Sequence, residues 1–286
     1  MLNKFKSLDK VTQIIIVNVA VFLLAVITNM FAHLFQINEG LIVSILALKA
    51  RLSDFIFQPW GILTHMFLHE SFSHILWNML LFYFMGQMFQ RHFSQKLVLP
   101  LYLASGLVGA IALIVSYLIF PLFQNSSGIA LGASAAVMGV FIAMCAYRPN
   151  DEVYLYGLIK VPLKYMGIGV VALDFIMFNQ GNEGGHIAHL GGAAYGFYFI
   201  TQYKKGRNIL TPWVKIIDAI VTMNLFKRKP KLKVVHKQKA QYMKDEDYNA
   251  SKKTAEEQMN AILDKISKSG YNSLTKAEKE FLQKFQ

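Results

Sequence analysis

Serine and histidine are the smallest set of side chains that can carry nucleophilic hydrolysis, because the imidazole takes the hydroxyl proton as the oxygen attacks. This chain offers such a pair: Ser134 in Gly132-Ala133-Ser134-Ala135-Ala136, and His189 in His186-Ile-Ala-His189-Leu-Gly-Gly192. Each stands at the start of an apolar segment, where polar and ionisable groups are costly and are functional candidates by default. His74 and Asn78 are four residues apart, which puts them on one face of a helix. Both can donate towards negative charge that develops on a tetrahedral intermediate. The small neighbours of Ser134 let another backbone come close, and a helix start there leaves unpaired N–H groups with a dipole that favours an oxyanion. Singly, each residue also has a plain structural reading: polar groups joining helices, a serine in a packing stretch, a buried histidine bonded to a carbonyl.

Positioning these residues falls to a very apolar chain. Of its 286 residues 54% are hydrophobic and only 16% charged, too greasy for an ordinary soluble domain. Hydropathy places six membrane spans at about 12–34, 71–90, 97–120, 132–147, 163–178 and 185–203. Lys4, Lys6 and Lys10 precede the first span as in a signal peptide, but the apolar run is too long for one and no small-x-small site follows it. It reads as a retained helix. The single cysteine, Cys145, forms no intrachain disulfide.

Charge gives the direction. Arg91 and Lys96 lie in one short connection, and Arg148, Lys160 and Lys164 lie in the 148–164 loop, whereas 121–131 and 179–184 carry no Lys or Arg. The positive-inside rule then puts both termini and the two basic loops in the cytoplasm. The 35–70 loop, with Lys49 and Arg51, is the exception; its apolar stretches suit short interfacial helices. Spans two, four and six all enter from outside, so His74, Ser134 and His189 should share one depth near the outer leaflet. Gly192 and Gly196 form a G-x-x-x-G spacing that draws the sixth span against another, with the fourth as the expected partner. His186 faces nearly the same side as His189 and is expected closer to water.

The arrangement resembles the rhomboid family of intramembrane serine proteases over roughly residues 10–203. The family pattern, H-x-x-x-N on the second helix, G-x-S-G at the start of the fourth and a histidine with glycine three residues on in the sixth, is matched by His74/Asn78, Gly132/Ser134 and His189/Gly192. The resemblance implies a six-helix, all-α polytopic membrane bundle. It implies Ser134 as nucleophile, His189 as general base, and an oxyanion hole of His74, Asn78 and the Ser134 N–H. No cofactor or metal is implied, and the substrates would be transmembrane proteins. His65 and His69 match histidines of the outer loop with a structural part. Three positions depart from the pattern: Ala135 for the glycine after the serine, Met138 where many relatives have a tyrosine stacked on the catalytic histidine, and Trp60-Gly61 for a tryptophan–arginine pair. A methionine can still pack against an imidazole but orients it less firmly. Asp174, late in the fifth span, either helps hold His189 or contacts the following loop; a dyad needs no acid.

Three regions follow: a six-helix membrane core over 1–203, an interfacial amphipathic helix over 204–226, and a basic, largely disordered cytoplasmic tail over 227–286 with short helices after Ala255. Residues 1–203 carry 10 Lys/Arg against 8 Asp/Glu; the remainder carries 19 against 9. The basic excess thus belongs to the tail and suits anionic lipid of the inner leaflet of a cell membrane rather than nucleic acid. A catalytically silent relative that binds membrane proteins for quality control is the first alternative. A metalloprotease built on His65, His69 and His74 is weaker, because His69-Glu70-Ser-Phe-Ser-His74 is one residue too long for H-E-x-x-H. A transporter is weaker still, with one internal acid and no paired ion path.

Overall fold

The structure, a computed structural model, describes residues 2–123, 128–155, 158–222 and 245–283. It separates into two units, 1–225 and 226–286.

The first unit is built on six long helices: α1 (Lys10–Leu34), α2 (Phe72–His92), α3 (Val98–Ile119), α4 (Ser134–Tyr147), α5 (Leu163–Ile176) and α6 (Glu183–Lys204). They coincide with the six apolar segments to within about two residues at each end. Among the described residues, two helical stretches are long and apolar enough to cross a membrane by length and composition, Lys10–Leu34 and Gln95–Ile119.

Asp9 caps α1. Its carboxylate accepts from the Thr12 N–H (3.1 Å) and hydroxyl (2.6 Å), and also from Gln87 (3.1 Å) and Gln90 (2.9 Å) near the end of α2. Burial alone would raise its pKa, but these donors hold it below the usual range. Further along, the buried Asn18 donates to the Tyr102 hydroxyl (3.3 Å), which donates to the Met66 carbonyl (2.9 Å). Elsewhere α1 leaves Leu23, Leu24, Ile27, Met30 and Phe31 about half exposed, a broad apolar face uncovered by the described residues of its unit.

The interior is the packing of α3, α4 and α6. Eleven of the fourteen residues of α4 are buried. Glycines allow this: a Cβ on Gly192 would collide with the Ala135 carbonyl, one on Gly196 with the Gly139 carbonyl, and one on Gly139 with the Ser105 side chain. Such close backbone approach suits association in lipid, where dispersion contacts replace the hydrophobic drive.

The loop between α1 and α2 holds short helices at Leu41–Leu46, Leu52–Phe55 and Gly61–Thr64. It is tied down by strand β1 (Leu48–Lys49), which pairs antiparallel with β2 (Ile129–Ala130). Gly61 has a packing reason, because a Cβ there would sit 3.2 Å from the Leu48 Cα and 2.5 Å from the Ala47 oxygen. Trp60 instead donates its indole N–H to the Ile45 carbonyl (2.7 Å). The basic 148–164 loop is a hairpin of β3 (Glu152–Leu155) and β4 (Ile159–Pro162). A further amphipathic helix, α7 (Thr211–Thr222), follows α6, and Trp213 and Val214 pack on the core.

In the second unit the tail was expected to carry short helices after Ala255. Residues 223–244, where the tail was expected to begin at Lys227, lie outside the described residues. Beyond them α8 (Asp245–Ser269) and α9 (Lys276–Gln283) form helices around a turn. The turn chemistry is local: Gly270 takes φ +75° after α8, and Glu278 accepts from the Thr275 N–H (2.6 Å) and hydroxyl (2.8 Å), a capping box. Lys265 on α8 reaches Glu278 on α9 at 2.9 Å. The Thr275 N–H, the Lys265 ammonium and the Thr275 hydroxyl together hold the Glu278 carboxyl down to about 2. Ile262 and Leu274 are buried within this unit.

Candidate active site

The residues singled out by chemistry meet at one end of the bundle. A cavity of about 1040 Å³ is lined by Ser134, His189, His74, Asn78, Met138 and Asp174 among others. Each helix start contributes. Ser134 is the first residue of α4, His74 lies in the first turn of α2, and His189 lies in the second turn of α6.

The backbone before Ser134 is fixed from outside its helix. The β1–β2 ladder holds Ile129 and Ala130, and the Gly132 N–H donates to the His65 carbonyl at 3.0 Å. Gly132 itself has φ +129°, open to glycine, and a Cβ there would lie 3.0 Å from the His74 ring and 3.6 Å from the Ser134 Oγ. The missing side chain therefore lets the His74 imidazole and the Ser134 hydroxyl occupy the same corner. His65 is buried, with its Nδ1 2.9 Å from the Gly61 carbonyl, and burial pushes its pKa down to about 4. His69 is also buried, edge-on to the His74 ring at 5.1 Å, and burial with the nearby His74 lowers it to about 4.

Ala135 is accommodated by α3. A Cβ added to Gly109 would be 2.7 Å from the Ala135 Cβ, so the methyl group fills space that Gly109 leaves open. Met138 is buried on the cavity wall.

His189 has a carboxylate partner. Its Nδ1 is 2.9 Å from Asp174 Oδ1, and His186 Nδ1 is 2.7 Å from the same oxygen. Asp174 is 6% exposed, one of three buried residues on α5. With Nδ1–H given to Asp174, the His189 ring keeps its Nε2 lone pair for a proton. Asp174 thus touches His189 directly. His186 departs from expectation, since its side chain is 14% exposed and that of His189 22%, so His186 is the less wet of the two. Reading along one helix does not reveal this, because the acid comes from the neighbouring one. The available signal was the i,i+3 histidine pair together with a lone acid in an apolar segment.

Other expected contacts differ. Among the described residues no hydrogen bond joins Ser134 to His189. Asn78 does not direct its whole amide into the cavity; its Nδ2 donates to the His74 carbonyl at 3.0 Å, which leaves one N–H for other partners. Among the described residues His65, His69 and His74 form no three-ligand cluster. The group that does is Asp174, His186 and His189, whose ligand atoms lie within 4.8 Å of one another.

The Rhomboid domain family model matches residues 57–205, just over half the chain and every residue of this cavity. The chain belongs to the rhomboid family. Rhomboids are integral membrane proteins, which accounts for the uncovered apolar face of α1. Relatives include RHOMBOID-like protein 12, mitochondrial, of Arabidopsis thaliana, 30% identical over 210 residues, 70% of this chain and 60% of that protein. Rhomboid protease GlpG of Haemophilus influenzae is 32% identical over 141 residues, 49% of this chain and 67% of that protein. Presenilin-associated rhomboid-like protein A, mitochondrial, of Danio rerio is 31% identical over 140 residues, 47% of this chain and 35% of that protein. The chain thus spans between about a third and two thirds of these relatives' lengths. Separately, a family of unknown function, DUF6576, matches residues 242–285, the helical second unit.

Proposed function

We propose that this rhomboid is an intramembrane serine protease that hydrolyses peptide bonds in or near transmembrane segments of other proteins. The observation that carries it is the convergence of Ser134, His189 and His74 in one cavity, with Asp174 on the far nitrogen of His189. Ser134 Oγ attacks the carbonyl carbon and its proton passes to His189 Nε2. The oxyanion is met by the His74 ring, the second Asn78 N–H and the Ser134 N–H, which as the first helical N–H has no partner within the helix. His189 then protonates the leaving amine, and water hydrolyses the acyl-enzyme. Asp174 holds the ring in the tautomer this needs. The Ser134–His189 hydrogen bond closes in the substrate complex, as catalytic contacts often do.

Six membrane crossings by α1–α6, with both termini in the cytoplasm, place the cavity near the outer leaflet. A substrate helix must unwind there for its carbonyl to reach Ser134, so helix-weakening residues near the cut are expected. Residues 1–203 form the protease core, α7 lies along the inner surface, and the basic remainder meets anionic lipid.

The test is cleavage of a model single-span substrate by the wild type and by Ser134→Ala. Loss of about 10⁴-fold or more is expected; equal cleavage refutes the assignment. A second reading, a catalytically silent relative that binds membrane proteins, is favoured by the open Ser134–His189 contact and the Asn78 amide turned onto its own helix. Labelling of Ser134 by a fluorophosphonate in folded protein excludes it, and absence of labelling supports it.

A further inference from the structure

We propose that Asp174, His186 and His189 form a site for a divalent transition-metal ion, zinc foremost, whose binding takes His189 out of service as a proton acceptor. The second half of this inference rests on the protease reading; the binding itself does not.

The donor set is two imidazoles, borderline ligands, and one harder carboxylate; the imidazoles favour zinc over magnesium or calcium. His186 and His189 are three residues apart, on one face of α6, and Asp174 comes from α5. Ligands about 2.0–2.1 Å from a common ion lie about 3 Å apart in adjacent positions. The two Nδ1 atoms are already 2.7 and 2.9 Å from Asp174 Oδ1, and all three ligand atoms fit within 4.8 Å. Little rearrangement separates this hydrogen-bonded cluster from a ligand set.

Two further observations point to a cation. Asp174 is more than nine-tenths buried, and its Oδ2 has no hydrogen-bond partner among the described residues, although a buried carboxylate oxygen normally finds one. The lining of the cavity includes Glu70 and Glu183 besides Asp174, and among the described lining residues there is no Lys or Arg. The field there attracts a positive ion, and the cavity leaves room for water to complete the coordination.

The consequence for His189 follows from proton placement. Without metal, Nδ1–H donates to Asp174 and Nε2 holds the lone pair that takes the Ser134 proton. With metal, the Nδ1 lone pair goes to the ion, so the neutral ring must carry its proton on Nε2. That nitrogen can then no longer accept one. The ion is therefore an inhibitor, the opposite of a catalytic metal.

The binding arm uses the full chain as Ser134→Ala, stripped with a chelator, so that no activity is needed. Cobalt(II) is titrated as a probe, with its visible absorption as the readout, and zinc is used to compete it off. One equivalent is expected, and His186→Ala and Asp174→Asn should each weaken binding at least tenfold. Thermal melting of each variant checks folding, and the second variant stands in if the first does not fold. No cobalt band, or binding unchanged in the folded variants, overturns the site. The activity arm uses the wild type, whose cleavage should fall by at least tenfold as zinc saturates the site and return on chelation. Binding without loss of cleavage, or cleavage that requires zinc, overturns the switch. A stripped wild type that never cleaves refutes the protease reading while the binding arm still decides the site.

Discussion

α4 and α5 have the same length and both contribute to the cavity, yet they are held in opposite ways. α4 buries eleven of its fourteen residues between α3 and α6, and its partners' glycines bring backbones into contact. α5 buries three, Leu163, Gly167 and Asp174, and leaves Ile168, Leu173, Phe175 and Ile176 exposed. The helix that carries the expected nucleophile is thus fixed by packing, where a shift costs many contacts at once. The helix that carries the acid is fixed near its C-terminal end by hydrogen bonds from two histidines on α6. The cavity thus lies between a closely packed wall and a lightly held one.

The sharpest way to break this comparison is a methyl-bearing residue at an interior glycine. Gly192→Val should cost about 3 kcal/mol or more, at the upper end for overpacking, because its Cβ meets the Ala135 backbone and a backbone cannot swing aside. Thermal melting in detergent measures this. The same substitution at Gly169 on α5, where a Cβ meets nothing within 4 Å, should shift the melting temperature little; comparable losses at both would erase the distinction.

Acid should loosen the fixed wall next. His65 is kept neutral by burial, with a pKa of about 4 against about 6.5 unfolded. Between those values the unfolded chain binds the extra proton, so this stability is full above pH 6.5 and is lost as pH falls towards 4. The gap amounts to about 3 kcal/mol. Melting temperature at pH 7.5 and 4.5 checks the sign, and a protein that melts higher at pH 4.5 contradicts it.

A smaller effect is expected on the light side. Asp174→Asn keeps an acceptor but loses the charge that steadies the His189 imidazolium, so kcat should drop about tenfold, about 1.4 kcal/mol, with KM nearly unchanged. A matching rise in KM would mean that Asp174 acts by holding α5 in place instead. Smallest of all, Gly169→Ala should raise stability by about 0.5–1 kcal/mol, the ordinary gain from replacing a helical glycine whose Cβ would meet nothing. The second unit offers a separate check. Glu278→Gln removes a carboxylate held at about 2 by the Thr275 N–H and Lys265, and hydrogen exchange over 276–283 should quicken.

Much of this was legible because it is local. Apolar runs marked the six long helices to within a couple of residues, since helix formation depends on neighbours in sequence. The order and spacing of His74, Asn78, Ser134 and His189 pointed to hydrolytic chemistry, and the Gly192/Gly196 spacing to a close helix contact. The region after Asp245 was legible only in part: short helices were expected past Ala255, whereas α8 already begins at Asp245. Its charged composition resembles disorder, while Ile262, Leu274 and the Thr275/Glu278 capping box supply enough contacts for a helical turn-helix.

By itself, then, the sequence determined which segments are helical and which side chains could do chemistry, because periodicity and residue type are properties of short stretches. Only the tertiary structure decided that Asp174 of α5 serves both His186 and His189 of α6, that the His65 carbonyl fixes Gly132, and that Asn78 turns back to the His74 carbonyl. Those choices join residues from different elements, or choose among partners equally available in sequence. They are settled when glycine-lined helices close to backbone contact and leave each buried polar atom only the partners within its reach.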